Sequence, residues 1–150
     1  MNVVVLYESM TGNTQRAAEL IGGAVKAAGC DVSVRSVRAP DYHELARADL
    51  VFLGTWVDGL IIAGHRPGGR AALGKMPVLD HKQVALFMTY AVHAGGALKK
   101  FAKLVSERKG AEVVATHLVK RGKLKDDGLV DGLSAGMADF VADALSSVPA

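Results

Sequence analysis

The chain has 150 residues, half of them apolar, which fits one domain able to bury a full core. No apolar run approaches the roughly 18 residues of a membrane span, so a soluble protein is expected. Cys30 is the lone cysteine, which excludes an intrachain disulfide or a multi-cysteine metal site, and the net charge of +3 with a pI near 9.1 is only mildly basic.

The N-terminus leads directly into an apolar run, Val3–Tyr7, which reads as a buried strand. No basic segment or small-residue cleavage site precedes it, so no signal peptide is expected and the cytoplasm is the expected location. Gln15–Ala28 reads as a helix with Ala17, Ile21 and Ala28 on one face, ended by Gly29. Asp31–Val37 alternates as a half-exposed edge strand, and Pro40–Ala48 has room for a short helix. Asp49–Thr55 is apolar on both faces and reads as a buried strand. A glycine-marked loop from Trp56 to about Pro67 follows, containing the apolar stretch Leu60-Ile61-Ile62, and then a short helix over Gly69–Lys75. Lys82–Thr89 is another buried strand, Tyr90–Gly95 a loop and Gly96–Arg108 a helix with Leu98, Phe101, Leu104 and Val105 inward. Ala111–Val119 completes the strands, and a last helix begins near Asp127 with Leu133, Met137, Phe140 and Val141 on one side.

Five strands alternating with helices imply an α/β fold: a doubly wound parallel sheet of five strands in the order 2-1-3-4-5, helices on both faces, formed by residues 1–150 as a single domain. In that order a ligand sits at the carboxyl ends of strands 1 and 3, where the winding reverses. Strand 1 ends at Ser9-Met10-Thr11-Gly12-Asn13-Thr14, a hydroxyl-rich turn opening a helix. The first N–H groups of a helix lack partners and carry the positive end of its dipole, so the turn suits an anion. Arg16 is the first basic residue, so a phosphate held by amides and hydroxyls, not salt bridges, is expected. A dinucleotide turn would need more glycines, and the string Gly69–Lys75 lacks the hydroxyl residue that completes a Walker loop. Aromatic residues number only eight, yet Trp56 follows strand 3 and Tyr90 follows strand 4, on the same rim. Two aromatics beside a phosphate turn suit a flat, ring-bearing ligand.

Ser9–Thr14, Gly54-Thr55-Trp56 and Thr89-Tyr90 together resemble the phosphate loop and the two flavin-contacting loops of flavodoxins, over nearly the whole chain and in the short-chain form. The resemblance implies non-covalent FMN, with Ser9, Met10, Thr11, Gly12, Asn13 and Thr14 around its phosphate. It implies Trp56 and Tyr90 against the isoalloxazine, and Thr55, Val57, Asp58, Gly59, Thr89, Ala91 and Gly95 as further lining. It leaves open whether the protein carries electrons or is a small oxidoreductase acting on quinone- or porphyrinogen-like substrates. No protein catalytic residue is required, since the chemistry belongs largely to the flavin.

Two features depart from that family. Flavodoxins are usually acidic, whereas Lys99–Lys125 holds nine basic residues against Glu107 and Glu112, so an acidic docking face on a redox partner protein is expected. Val57 also stands where Gly is frequent, which disfavours positive φ and points toward two-electron chemistry. Other readings are weaker. A receiver domain shares the strand order, but Glu8 stands without a second acid and strand 3 ends in Thr55-Trp56, not Asp. A flavin-free interaction module using the basic surface would want aromatics among the cations for nucleic acid, and none are interleaved, so nucleic acid is not expected. Gly132-Leu133-Ser134-Ala135-Gly136 mimics a nucleophile elbow but lies in a helical stretch with no later His. The five histidines show no metal-ligand spacing, so no metal is expected.

Overall fold

A computed structural model describes residues 1–59, 64–124 and 135–149. In chain order the elements are β1 (Asn2–Tyr7), α1 (Asn13–Ala27), β2 (Asp31–Ser36), α2 (Tyr42–Arg47), β3 (Leu50–Asp58), β4 (Arg66–Pro67), α3 (Arg70–Lys75), β5 (Gln83–Tyr90), α4 (Ala97–Lys109), β6 (Glu112–Lys120), a 3-10 turn (Arg121–Leu124) and α5 (Ala135–Ser147). Five strands run parallel in the order β2-β1-β3-β5-β6, the expected doubly wound arrangement. The Leu60-Ile61-Ile62 stretch, the expected start of the last helix and most of the elbow-like motif lie outside the described residues.

Near-continuous apolar strands are explained by burial on both faces. Val4, Leu6, Val51, Leu53, Leu86 and Met88 point to one core, closed by Leu45 of α2, Leu73 of α3 and Phe101 and Val105 of α4. Val3, Val5, Leu50, Phe52 and Phe87 point to the other, closed by Ile21 and Val25 of α1 and Phe140 and Val141 of α5. Phe52, Phe87 and Phe101 are fully buried, and truncating any of them to Ala would cost about 3–5 kcal/mol. The edge strand β2 is polar and half-buried, as its alternation requires.

The structure departs from expectation beyond Thr55. β3 does not stop there; it continues through Trp56 and Val57 to Asp58 because a two-residue strand, β4, returns antiparallel beside it. The Gly68 N–H donates to the Trp56 carbonyl at 2.7 Å, and the Thr55 hydroxyl donates to the Gly68 carbonyl at 2.8 Å. The sheet therefore has a sixth, short strand, and Trp56 is held by a ladder, not by a loop. Tyr90 likewise ends β5 instead of opening the loop after it.

Two short helices are stoppered by lysines from elsewhere in the chain. The Lys82 ammonium donates to the Ala46 and Ala48 carbonyls at the end of α2, at 3.0 and 3.1 Å. The Lys109 ammonium donates to Gly74 and Met76 carbonyls at the end of α3, at 3.0 and 2.8 Å. A cation at a helix C-terminus meets both unpaired carbonyls and the negative end of the dipole. Lys109 is buried, and that burial pulls its ammonium below the ordinary lysine value. It is thus removed from the basic surface that charge counting along the chain assigned it to.

Candidate functional site

β1 has β2 on one side and β3 on the other, so the connections leaving β1 and β3 diverge and open a crevice at their carboxyl ends. The turn Ser9–Thr14 lines its floor. Gly12 precedes α1 at φ 92°, a conformation that favours glycine, and α1 has no side-chain cap. The Ser9 hydroxyl accepts from Gly12 N–H at 3.0 Å, and Asn13 Nδ2 donates to the Thr11 hydroxyl at 3.1 Å, which shapes the turn internally. With no side-chain cap, the first N–H groups of α1 keep the unpaired character that attracts an anion.

Two neighbouring cavities open here. One, of about 520 Å³, is walled by Thr11, Asn13, Ala91, Arg121 and Gly122. The other, of about 620 Å³, is walled by Met10, Trp56, Val57, Asp58, Gly59, His65, Arg66, Ala91, Val92, His93 and Arg121. Ala91 and Arg121 belong to both. Met10 and Val92 line the larger cavity with 66% of their surface exposed.

The Trp56 indole lies against Gly68 and Gly69. A Cβ at Gly68 would overlap its ring, so only glycine admits the close approach. Trp56 Nε1 is buried with no hydrogen-bond partner, and so is Arg121 Nε. Asp58 pairs with Arg66 across the β3–β4 ladder at 3.6 Å and accepts from Gly59 N–H at 2.9 Å. Gly59 turns at φ 110° and Gly95 at φ 53°, the latter packed so closely on the His65 ring that a side chain there would meet it. Glu8, at the end of β1, is buried and held by Arg38 Nε at 3.0 Å from both carboxylate oxygens.

Thr14, expected at the phosphate, and Thr55 and Thr89, expected as further lining, make hydrogen bonds within the fold. Thr14, Thr55 and Thr89 are buried; Thr55 holds Gly68, while Thr14 and Thr89 meet each other at 2.9 Å. Tyr90 ends β5 half-buried beside Lys120, and the larger cavity's wall at that point is made by Ala91, Val92 and His93. The turn itself has no Lys or Arg, as its sequence shows, but Arg121, Arg66 and two histidines line the adjoining cavities. Arg121 follows β6 immediately, so the rule that ligands gather at strand carboxyl ends would have found it.

A flavodoxin-domain family model matches residues 4–131. A flavodoxin from Megasphaera elsdenii is 34% identical over 119 residues, spanning 78% of this chain and 85% of the relative. The chain belongs to the flavodoxin family. Its function is that of the family, an FMN-binding electron-transfer protein. The solution structure of two-electron reduced Megasphaera elsdenii flavodoxin matches with TM-score 0.70 at 25% identity, over 96% of this chain and 98% of that one. Oxidised flavodoxin 1 from Bacillus cereus matches in fold with TM-score 0.67 at 20% identity, over 98% and 99%. FMN suits the residues present: an uncapped α1 terminus beside the smaller cavity suits its phosphate, and Arg121, which borders both cavities, adds a cation. Among the described residues no helix is long and apolar enough to cross a membrane.

Proposed function

We propose that this chain, acting as one flavodoxin-like domain in the cytoplasm, holds FMN with its phosphate in the Ser9–Thr14 turn and its ring in the larger cavity. The observation that carries the reading is the meeting of two cavities at Ala91, one beside the turn and one beside Trp56, as a mononucleotide with a phosphate end and a ring end requires. When bound, the flavin supplies the electron-accepting ring system. The chain's own residues do the rest: α1 N–H groups and the turn hydroxyls bind the anion, Trp56 covers one side of the ring, and Ala91–His93 border the opposite rim. Titrating the apoprotein with FMN and with riboflavin tests this, with FMN bound far more tightly. Equal affinities would remove the phosphate turn from the site.

A groove of about 910 Å³ between α3 and α4 supports a partner surface there. Arg66, Arg70, Lys100, Lys103 and Arg108 line it, with Glu107 as its acidic residue, and Arg66 also borders the larger cavity. Lys100 is tied to the His65 carbonyl at 2.7 Å, while Arg70, Lys103 and Arg108 have no carboxylate partner among the described residues. A basic surface adjoining the ring cavity supports docking of a redox partner through an acidic face. Exposed charges act mainly on encounter rate and are screened beyond about 8–10 Å at physiological salt. Association of the reduced protein with an acidic redox protein is expected to slow steeply as salt rises, and less so in an Arg70→Glu/Lys103→Glu variant.

A further inference from the structure

Arg121 lines both cavities. It is the first residue after β6, half-buried, with an enclosed Nε that has no hydrogen-bond partner. No carboxylate among the described residues pairs with it: Glu8 is held by Arg38, and Asp58 by Arg66. A guanidinium stays charged at every relevant pH and has five N–H donors to satisfy. A half-buried cation with no carboxylate partner is costly, and an anion in the cavities that Arg121 lines would offset that cost. Thr11 and Asn13 share the smaller cavity with Arg121, so the turn and this arginine border the same space. The turn itself brings N–H groups and hydroxyls but no cation.

We infer that Arg121 is a cofactor-binding residue of this protein, the counter-charge for the phosphate end of the bound mononucleotide. The inference rests on the FMN reading above. It makes this site a hybrid: local hydroxyls and amides from the turn, plus a side chain from the far end of the sheet more than a hundred residues later in the chain. Planar N–H pairs match phosphate oxygens in two parallel bonds, a geometry that lysine lacks.

The test is a set of dissociation constants for FMN and riboflavin with wild type, Arg121→Gln and Arg121→Lys, each checked for unchanged thermal unfolding of the apoprotein. Arg121→Gln is expected to weaken FMN by about ten- to a hundredfold and to leave riboflavin unchanged, since riboflavin has no phosphate. Arg121→Lys is expected to recover part of the loss. The FMN affinity of wild type should fall with salt more steeply than that of Arg121→Gln. FMN and riboflavin weakened by the same factor, or neither weakened, overturns the inference while leaving the FMN site standing. A wild type that does not prefer FMN overturns the cofactor placement itself.

Discussion

Thr14 and Thr89, 75 residues apart in sequence, meet hydroxyl to hydroxyl at 2.9 Å in a buried position between the first turn of α1 and the end of β5. Each hydroxyl has one proton, so the pair uses one donor between them and retains a second. The bond ties the turn that opens α1 to the strand whose outgoing loop borders both cavities. Losing one partner leaves the other buried and unsatisfied, whereas losing both leaves an apolar contact of similar shape.

Thr14→Val and Thr89→Val are therefore each expected to lower apoprotein stability by about 1–3 kcal/mol, and the double variant to recover most of it. Urea unfolding of the four proteins measures this. Losses that simply add would show that the two hydroxyls act independently.

Trp56 is the single tryptophan, so its emission reports on the cavity without interference. Addition of FMN is expected to quench it in a one-to-one titration. Gly68→Ala, whose new Cβ would overlap the indole, is expected to cost about 1–3 kcal/mol and to blunt the quenching as the ring is displaced. Normal stability and normal quenching in that variant would mean the ring does not rest on Gly68.

Val57 pairs with Pro67 in the β3–β4 ladder and packs on the core beneath. In flavodoxins the peptide at this place can turn its carbonyl toward the flavin, which stabilises the one-electron-reduced ring, and glycine eases that turn. A β-branched residue at positive φ costs on the order of 1–3 kcal/mol. Stepwise anaerobic reduction is expected to give less half-reduced flavin in wild type than in Val57→Gly, read from the long-wavelength absorbance band. The same band in both proteins would show that residue 57 does not control it.

His117 stacks on Phe140 with ring centroids 5.2 Å apart and planes 18° from parallel. Burial pulls its imidazole below the ordinary value of 6.5. The unfolded chain binds this proton near 6.5 and the folded chain only at lower pH. Stability from His117 is thus fully present above the unfolded value and falls as the solution is acidified through the folded one. Wild type is expected to lose melting temperature on going from pH 7 to pH 5 more than His117→Phe does.

The sheet was legible because its strands are apolar on both faces and its helices carry one-sided stripes, patterns that only covering layers explain. The turn that opens α1 was legible because six consecutive residues, Ser9–Thr14, carry it. Arg121, Arg66 and His65 were not, because the topology, not local sequence, brings them to the crevice. β4 escaped notice since two residues, one of them Pro67, show no strand periodicity. The Thr14–Thr89 bond was not legible, because a sequence lists the two hydroxyls without showing that they face each other.

The lysine stopper at the end of α3 turns a structural detail into a chemical clock. An amine-reactive reagent meets the exposed lysines of α4 at once, but Lys109 keeps its ammonium between two carbonyls and out of water. Its modification must wait for α3 and α4 to part. The lag between Lys103 and Lys109 in a labelling time course, read by mass spectrometry, would therefore time the opening of the wall beneath the basic groove.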